Sequence, residues 1–352
     1  SSSPAPNPTA TPAAESSDGE LASIIYGPTS GALVHDPTSN AIKVFPSSVW
    51  ETNGNVTAVF YNPYSRNSGN FSYGFSFRSS SEAHFVIVSS TSVWEHYART
   101  TAEDKLVTSG SLTDFDATED GTNKVGVVFV GDIGWLFVND KLIAELDLSD
   151  IQTAGDVRAI TGFYMEDEKV GFATNFGVFQ IVRPSLILKT SGSMVIEGMA
   201  PLTSTTKGLA NSYSTVTFKN PFGPPKYWSY GLQFRKDAGM GYIVFNSSAP
   251  NYGNNWDLNY RPDWKAALDS VIATGRANLK LSAGDSNKLG LMVIDDVGVL
   301  YLNDQKLSEL DLSSITGTGT SGISAGWFAG ESWEPDGTVT EFEDFNVWSL
   351  GD

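Results

Sequence analysis

The chain has 352 residues, carries 22 Lys and Arg against 40 Asp and Glu for a net charge of −18, and contains no cysteine. That excludes disulfides, thiolate catalysis and cysteine-ligated zinc, while the acidic balance, without a Lys/Arg cluster, argues against nucleic-acid phosphates and anionic lipid surfaces. With 34 Gly, 20 Phe, 13 Tyr, 9 Trp and only 18% charged residues, the composition fits turn-rich β-structure rather than helical bundles.

Residues 1–20, SSSPAPNPTATPAAESSDGE, hold no large apolar side chain and read as an extended tether. This stretch is similar to the segment that follows the lipidated cysteine of bacterial lipoproteins. The resemblance implies an extracellular or cell-surface protein whose contact with a membrane is a lipid anchor. No apolar run reaches the length of a membrane span.

A first domain is expected over 21–183. Short alternating runs at 41–45, 56–61, 71–78 (FSYGFSFR), 83–88 and 92–99 predict strands, and the polar stretch 114–123 predicts a loop. Closing strands follow at 157–165 and 172–182. A second domain, 184–352, begins after a very short joint, which predicts packed rather than freely swinging halves. Within it, residues 260–272 are expected to hold a short helix after Asp263.

One stretch organises both halves. KVGVVFVGDIGWLFVNDKLIAELDLS at 124–149 returns as KLGLMVIDDVGVLYLNDQKLSELDLS at 288–313, with 12 of 26 positions identical. Period-two apolar patterning broken by Gly and Asn-Asp turns predicts an antiparallel meander. Asn139-Asp140 and Asn303-Asp304 are expected at its hairpin tips, because both residue types tolerate a left-handed backbone. FYNPYSRNSGNFSYGFSFR (60–78) recurs as FKNPFGPPKYWSYGLQFR (218–235), and VWEHYAR (93–99) as NWDLNYR (255–261). A repeat this long marks a duplicated domain rather than a solenoid. The fold class is therefore all-β, two tandem jelly-roll β-sandwiches behind an extended tail.

The pattern Asn-Lys, Gly, Asp-x-Gly-x-Leu-x-x-Asn-Asp starting at Asn123 and at Asn287, followed by ELDLS and a closing F-x-x-F strand, resembles the concanavalin A-like lectin and glucanase superfamily, in particular its laminin-G-like jelly rolls. The resemblance implies paired curved antiparallel sheets and carbohydrate or protein binding.

Three site candidates follow. In glucanases of that superfamily a strand carries E-x-D-x-(x)-E; Glu145 and Asp147 resemble its start, but Asp150 stands where Glu is needed and the second copy has Ser313-Ser314, so a structural role is expected. Trp94, Tyr97 and Arg99, matched to Trp256, Tyr260 and Arg261, could form an aromatic surface for sugar faces, weighed against plain core or edge packing. Aromatics of the second domain, Tyr227-Trp228, Tyr252, Trp264 and Trp333, could gather at one end of its sandwich, against only Tyr64 and Trp50 in the first, which favours the second domain as the binding half.

Calcium is the one cofactor considered, at the acidic loops 165–169 and 331–337, with a solvated loop as the plainer account. His35, His84 and His96 lack metal-site spacing. The expected partner is a glycan. A surface protein in a larger assembly is the alternative, and a glycoside hydrolase the third reading.

Overall fold

A computed structural model describes residues 19–35, 42–101, 103–162, 168–169, 171–196, 202–205, 207–236, 240–247, 254–262, 270–326 and 334–351. The chain divides into two compact units, whose bodies are Leu21–Pro184 and Ser185–Leu350. The helix expected after Asp263 lies outside the described residues.

The first unit contains β1 (Ser23–Val34), β2 (Lys43–Glu51), β3 (Gly54–Tyr61), β4 (Ser72–Ser79), β5 (Ala83–Ser89), β6 (Val93–Arg99), β7 (Asp104–Ser111), β8 (Thr122–Val130), β9 (Ile133–Val138), β10 (Lys141–Asp147), β11 (Gly155–Thr161) and β12 (Ala173–Arg183). They form two six-stranded sheets, ordered β1-β12-β3-β8-β9-β10 and β2-β11-β4-β5-β6-β7. The second unit contains β13 (Ser185–Val195), β14 (Leu202–Ser204), β15 (Ser212–Lys219), β16 (Ser229–Phe234), β17 (Met240–Asn246), β18 (Asn255–Arg261), β19 (Ser270–Arg276), β20 (Ser286–Ile294), β21 (Val297–Leu302), β22 (Gln305–Asp311), β23 (Gly322–Ala325) and β24 (Val339–Ser349). Its sheets run β13-β24-β15-β20-β21-β22 and β14-β23-β16-β17-β18-β19, the first unit's order strand for strand. Each unit is a jelly-roll β-sandwich, and the duplication read from the sequence extends to the whole topology.

Alternation explains the cores. Phe75, Phe77, Val86, Val88 and Trp94 point into the first sandwich with Val125, Val127 and Phe129 from the facing sheet. Leu232, Phe234, Ile243, Phe245 and Trp256 do the same in the second, against Leu289, Leu291 and Val293. Burying a large apolar side chain is worth roughly 1.5–3 kcal/mol, so each core supplies most of its own unit's stability.

The repeated polar residues are structural as well. Asn139, Asp140, Asn303 and Asp304 all have φ between 51° and 64°, the left-handed geometry of the hairpins β9–β10 and β21–β22. Asn123, wholly buried, donates to the Tyr73 hydroxyl at 2.7 Å, and that hydroxyl donates to Asn62 at 2.9 Å. Asn287, Tyr230 and Asn220 repeat the chain at 2.8 and 3.2 Å. These amides connect the two sheets across one end of each sandwich, which is why the motif behind the family resemblance recurs.

At the other end, Arg78 and Arg235 close β4 and β16 on a left-handed residue, φ 51° in each. Arg78 is fully buried and donates to the carbonyls of Thr52, Leu148, Ile151 and Gly131. Arg235 does the same for Ala210, Ile315 and Asp295. Burial lowers the Arg78 guanidinium to about 10, which leaves it charged at neutral pH.

Candidate functional site

The first unit's sheet β2-β11-β4-β5-β6-β7 buries one face in the core and turns the other away from it. Cross-strand pairing sets the residues of that outer face in rows. One row runs Pro46, Arg158, Ser76, Phe85, Tyr97 and Leu106 across the six strands. A neighbouring row runs Val44, Ile160, Gly74, Ile87 and Glu95. Phe85, Ile87, Ala83 and Ile160 form a small apolar cluster of their own, with Ile42 and Tyr97 packed on it.

A depression of about 350 Å³ opens on this face, lined by Ser76, Phe85, Glu82, Arg99, Arg158 and Val44 among others. Its volume falls at the small end of the roughly 300–1,000 Å³ typical of ligand pockets. Arg99 lies over the Phe85 ring, 4.5 Å from its centre, and is held by Asp104 through bonds of 2.5 and 2.6 Å. Arg158 donates its Nε to Asp156 at 2.8 Å. Ser76 sits between Arg158 and Phe85, 1% exposed, and its hydroxyl has no hydrogen-bond partner. A buried polar group left unpaired costs roughly 1–3 kcal/mol. A hydroxyl supplied from outside would relieve it.

The structure redistributes the residues expected to bind. Trp94 and Trp256 are 6% and 4% exposed and belong to the sandwich cores, so neither offers a face to a ligand. Each indole lies across a glycine of the adjoining strand, Gly110 or Gly275, where a Cβ would come within 2.6 Å of the indole nitrogen. The expected match of Tyr97 with Tyr260 also fails. Tyr97 pairs with Phe85 on the outer face, whereas Tyr260 pairs with Gly241 and packs against the second core. Asn259 holds the position of Tyr97, opposite Tyr242. A one-residue step along a strand reverses the face.

Arg99 and Arg261 do correspond: Arg261 lies over the Tyr242 ring at 5.9 Å. Tyr97 donates to Glu95 at 3.1 Å, and burial with the nearby Glu95 charge pushes its hydroxyl up to about 12. Trp264, Trp333 and Tyr252 lie outside the described residues. Trp228 is wholly buried and stacked on Tyr230 at 4.5 Å, and Tyr64 is buried with its hydroxyl on the Asn70 carbonyl at 2.6 Å. Trp50 is 59% exposed and pairs with Asp156, beside the depression.

The carboxylates of the ELDLSD stretch are spoken for. Asp147 accepts from the backbone and hydroxyl of Ser149 at 3.0 and 2.6 Å, which lowers its pKa, and Asp311 accepts from Ser313 in the same way. Asp150 pairs with Lys105 at 2.8 Å. β10 is an edge strand of the sheet that does not carry the depression.

Three features escaped the sequence. His84 and His96, both fully buried, face each other at 3.1 Å, and burial lowers them to about 4 and about 3. In the second unit Gly241, Leu258 and Tyr260 replace His84, His96 and Ala98, so a bulkier ring fills the space beside a residue with no side chain. Glu334, 3% exposed, accepts from the backbone and hydroxyl of Ser229 at 3.1 Å each, and burial raises it to about 8. Glu168, beside the equivalent Ser72, is raised by burial to about 7 and lies 3.5 Å from His35. Ser76 and Arg158 carried no sequence signal beyond alternation. Among the described residues no three His, Asp or Glu side chains gather as a metal site.

No family model matches the chain. No curated protein matches it either. Among solved structures, it is similar to a carbohydrate-binding module, CBM66, from Bacillus subtilis, with 10% identity, 46% of this chain and 95% of that one covered, and a TM-score of 0.33. It is similar to domains LG4-5 of the mouse laminin α1 chain, with 12% identity, 97% and 93% covered, and a TM-score of 0.28. It is also similar to the GH43 protein BlXynB from Bacillus licheniformis, with 8% identity, 77% and 64% covered, and a TM-score of 0.34.

Proposed function

We propose that this chain is a non-enzymatic glycan-binding protein of the extracellular space or cell surface, tethered through residues 1–20 and through a lipid anchor ahead of them, and that its first unit takes a saccharide on the outer sheet face. The observation that carries this reading is the Ser76 hydroxyl, buried and unpaired on the floor of a depression flanked by Arg158, Arg99 and Phe85. Hydroxyl-rich ligands supply the missing partner, and small apolar surfaces such as Val44 receive their CH faces. The composition of the tail, which cannot bury itself, supports the surface location.

A glycan array with the whole chain tests the proposal. At least one neutral or acidic glycan class should be retained, Arg158→Ala should abolish that retention while circular dichroism shows the chain still folded, and no reducing ends should be released. An empty array would end the binding reading, and released reducing sugar would move the chain to the hydrolases. A protein partner is the second reading. It is favoured by Trp50, Val44 and Leu106, which are 59%, 45% and 47% exposed on this same face.

A further inference from the structure

Resting on the binding role just proposed, the charge balance of the depression points to the class of saccharide. Three charged side chains line it, Arg99, Arg158 and Glu82, and two carboxylates behind them, Asp104 and Asp156, pair with the arginines. Acidic sugars and sulfate esters are held where a guanidinium has charge to spare and can present a fork of donors. Here both guanidiniums are already compensated. Asp104 takes two bonds from Arg99, and Asp156, 4% exposed, takes one from Arg158 at 2.8 Å while its other oxygen receives the Ser47 hydroxyl at 3.1 Å. Glu82 adds a negative charge that pairs with no cation among the described residues, and the whole chain stands at −18. An anion entering this face would meet three carboxylates against two arginines, in a field of its own sign.

Compensated pairs remain good partners for neutral hydroxyls. A sugar hydroxyl donates and accepts at once, so it fits where a guanidinium N–H stands beside a carboxylate lone pair. The terminal nitrogens of Arg158 have no partner among the described residues, and the unpaired Ser76 hydroxyl is its cross-strand neighbour. Those groups lie side by side, as two adjacent hydroxyls on one sugar ring do. We propose that the depression takes an uncharged saccharide through a pair of adjacent hydroxyls bound by Arg158 and Ser76, and that it discriminates against uronates and sulfated sugars.

Equilibrium titration of the whole chain tests this with neutral glucan, galactan, mannan and fructan oligosaccharides against oligogalacturonate and sulfated galactan. A neutral ligand should bind at least tenfold tighter than either acidic one. Its affinity should hold within about twofold between roughly 20 and 300 mM salt, because no ion pair forms on binding. Arg158→Gln should weaken it at least tenfold, and Arg158→Lys, which keeps the charge and loses the fork, should weaken it nearly as much. Glu82→Gln should raise the affinity for the acidic oligosaccharides severalfold and leave the neutral ligand unchanged. Tight binding of an acidic oligosaccharide that fades with salt would overturn this inference and leave the glycan-binding reading standing. Neutral binding indifferent to both Arg158 variants would overturn the assignment of donors. If no oligosaccharide binds, the broader reading fails and this one with it.

Discussion

The two units share a frame and differ in what they place on it. Both keep the buried arginine at the end of the fourth strand, the Tyr-Asn chain between sheets and the indole laid across a glycine. They part on the outer face and directly beneath it. The first unit has Arg158, Ser76 and Tyr97 in a row, where the second has Gly322, Gln233 and Asn259. Under that row the first unit has its histidine pair, and the second has Leu258 and Tyr260. Frame residues satisfy backbone and core, so a duplicated copy cannot lose them and still fold. Positions on the outer face carry no such obligation, and they are where the copies have moved apart.

Breaking the frame should cost most, and equally in either half. Arg78→Ala or Arg235→Ala orphans at least three carbonyls, and each should destabilise its own unit by roughly 3–5 kcal/mol in denaturant titrations. A large loss from one and none from the other would end the idea of a common frame. Gly110→Ala and Gly275→Ala force a methyl against the indole and should cost about 1–3 kcal/mol each, with the Trp94 or Trp256 emission shifted.

These frame elements also mark what was legible in the sequence. Alternation and turn residues located the strands, and the repeat located both copies, because a half-buried sheet imposes a period of two wherever it occurs. The Asn-Asp hairpins followed from backbone geometry alone. Trp94 and Trp256 misled because a tryptophan in a strand looks the same whether it stacks on a ligand or covers a glycine of the next strand. Tyr97 and Tyr260 misled because strand-by-strand register, not nearness in sequence, decides the face. Ser76 became visible only once the structure showed its hydroxyl buried without a partner.

Acidity separates the units more gently. Glu168 and Glu334 are held above their ordinary 4.5, at about 7 and about 8, so the folded state keeps protons that the unfolded chain releases. Their contribution is complete below pH 4.5 and is lost as pH rises through 7 to 8, in both units. His84 and His96 are held below their ordinary 6.5, so the unfolded chain takes up protons first, and stability falls as pH drops from 6.5 towards 3. All three histidines lie in the first unit. Hydrogen-exchange protection, taken relative to the intrinsic rate at each pH, should therefore fall from pH 6 to pH 4 more in β5 and β6 than in β17 and β18. Carrying the second unit's residues across, as His84→Gly, His96→Leu and Ala98→Tyr together, should remove that difference. Glu334→Gln should flatten the alkaline loss in the second unit only. Equal acid sensitivity in the two units would show that the histidine pair is not its source.

The most direct test of the account is an NMR titration of the whole chain with a saccharide retained on the array, following backbone and side-chain signals of both outer faces. Signals of Ser76, Phe85, Arg99 and Arg158 should shift together with one dissociation constant, while those of Gln233, Tyr242 and Asn259 stay in place. Shifts centred on the second unit, or spread along the β9–β10 edge of the first, would contradict it.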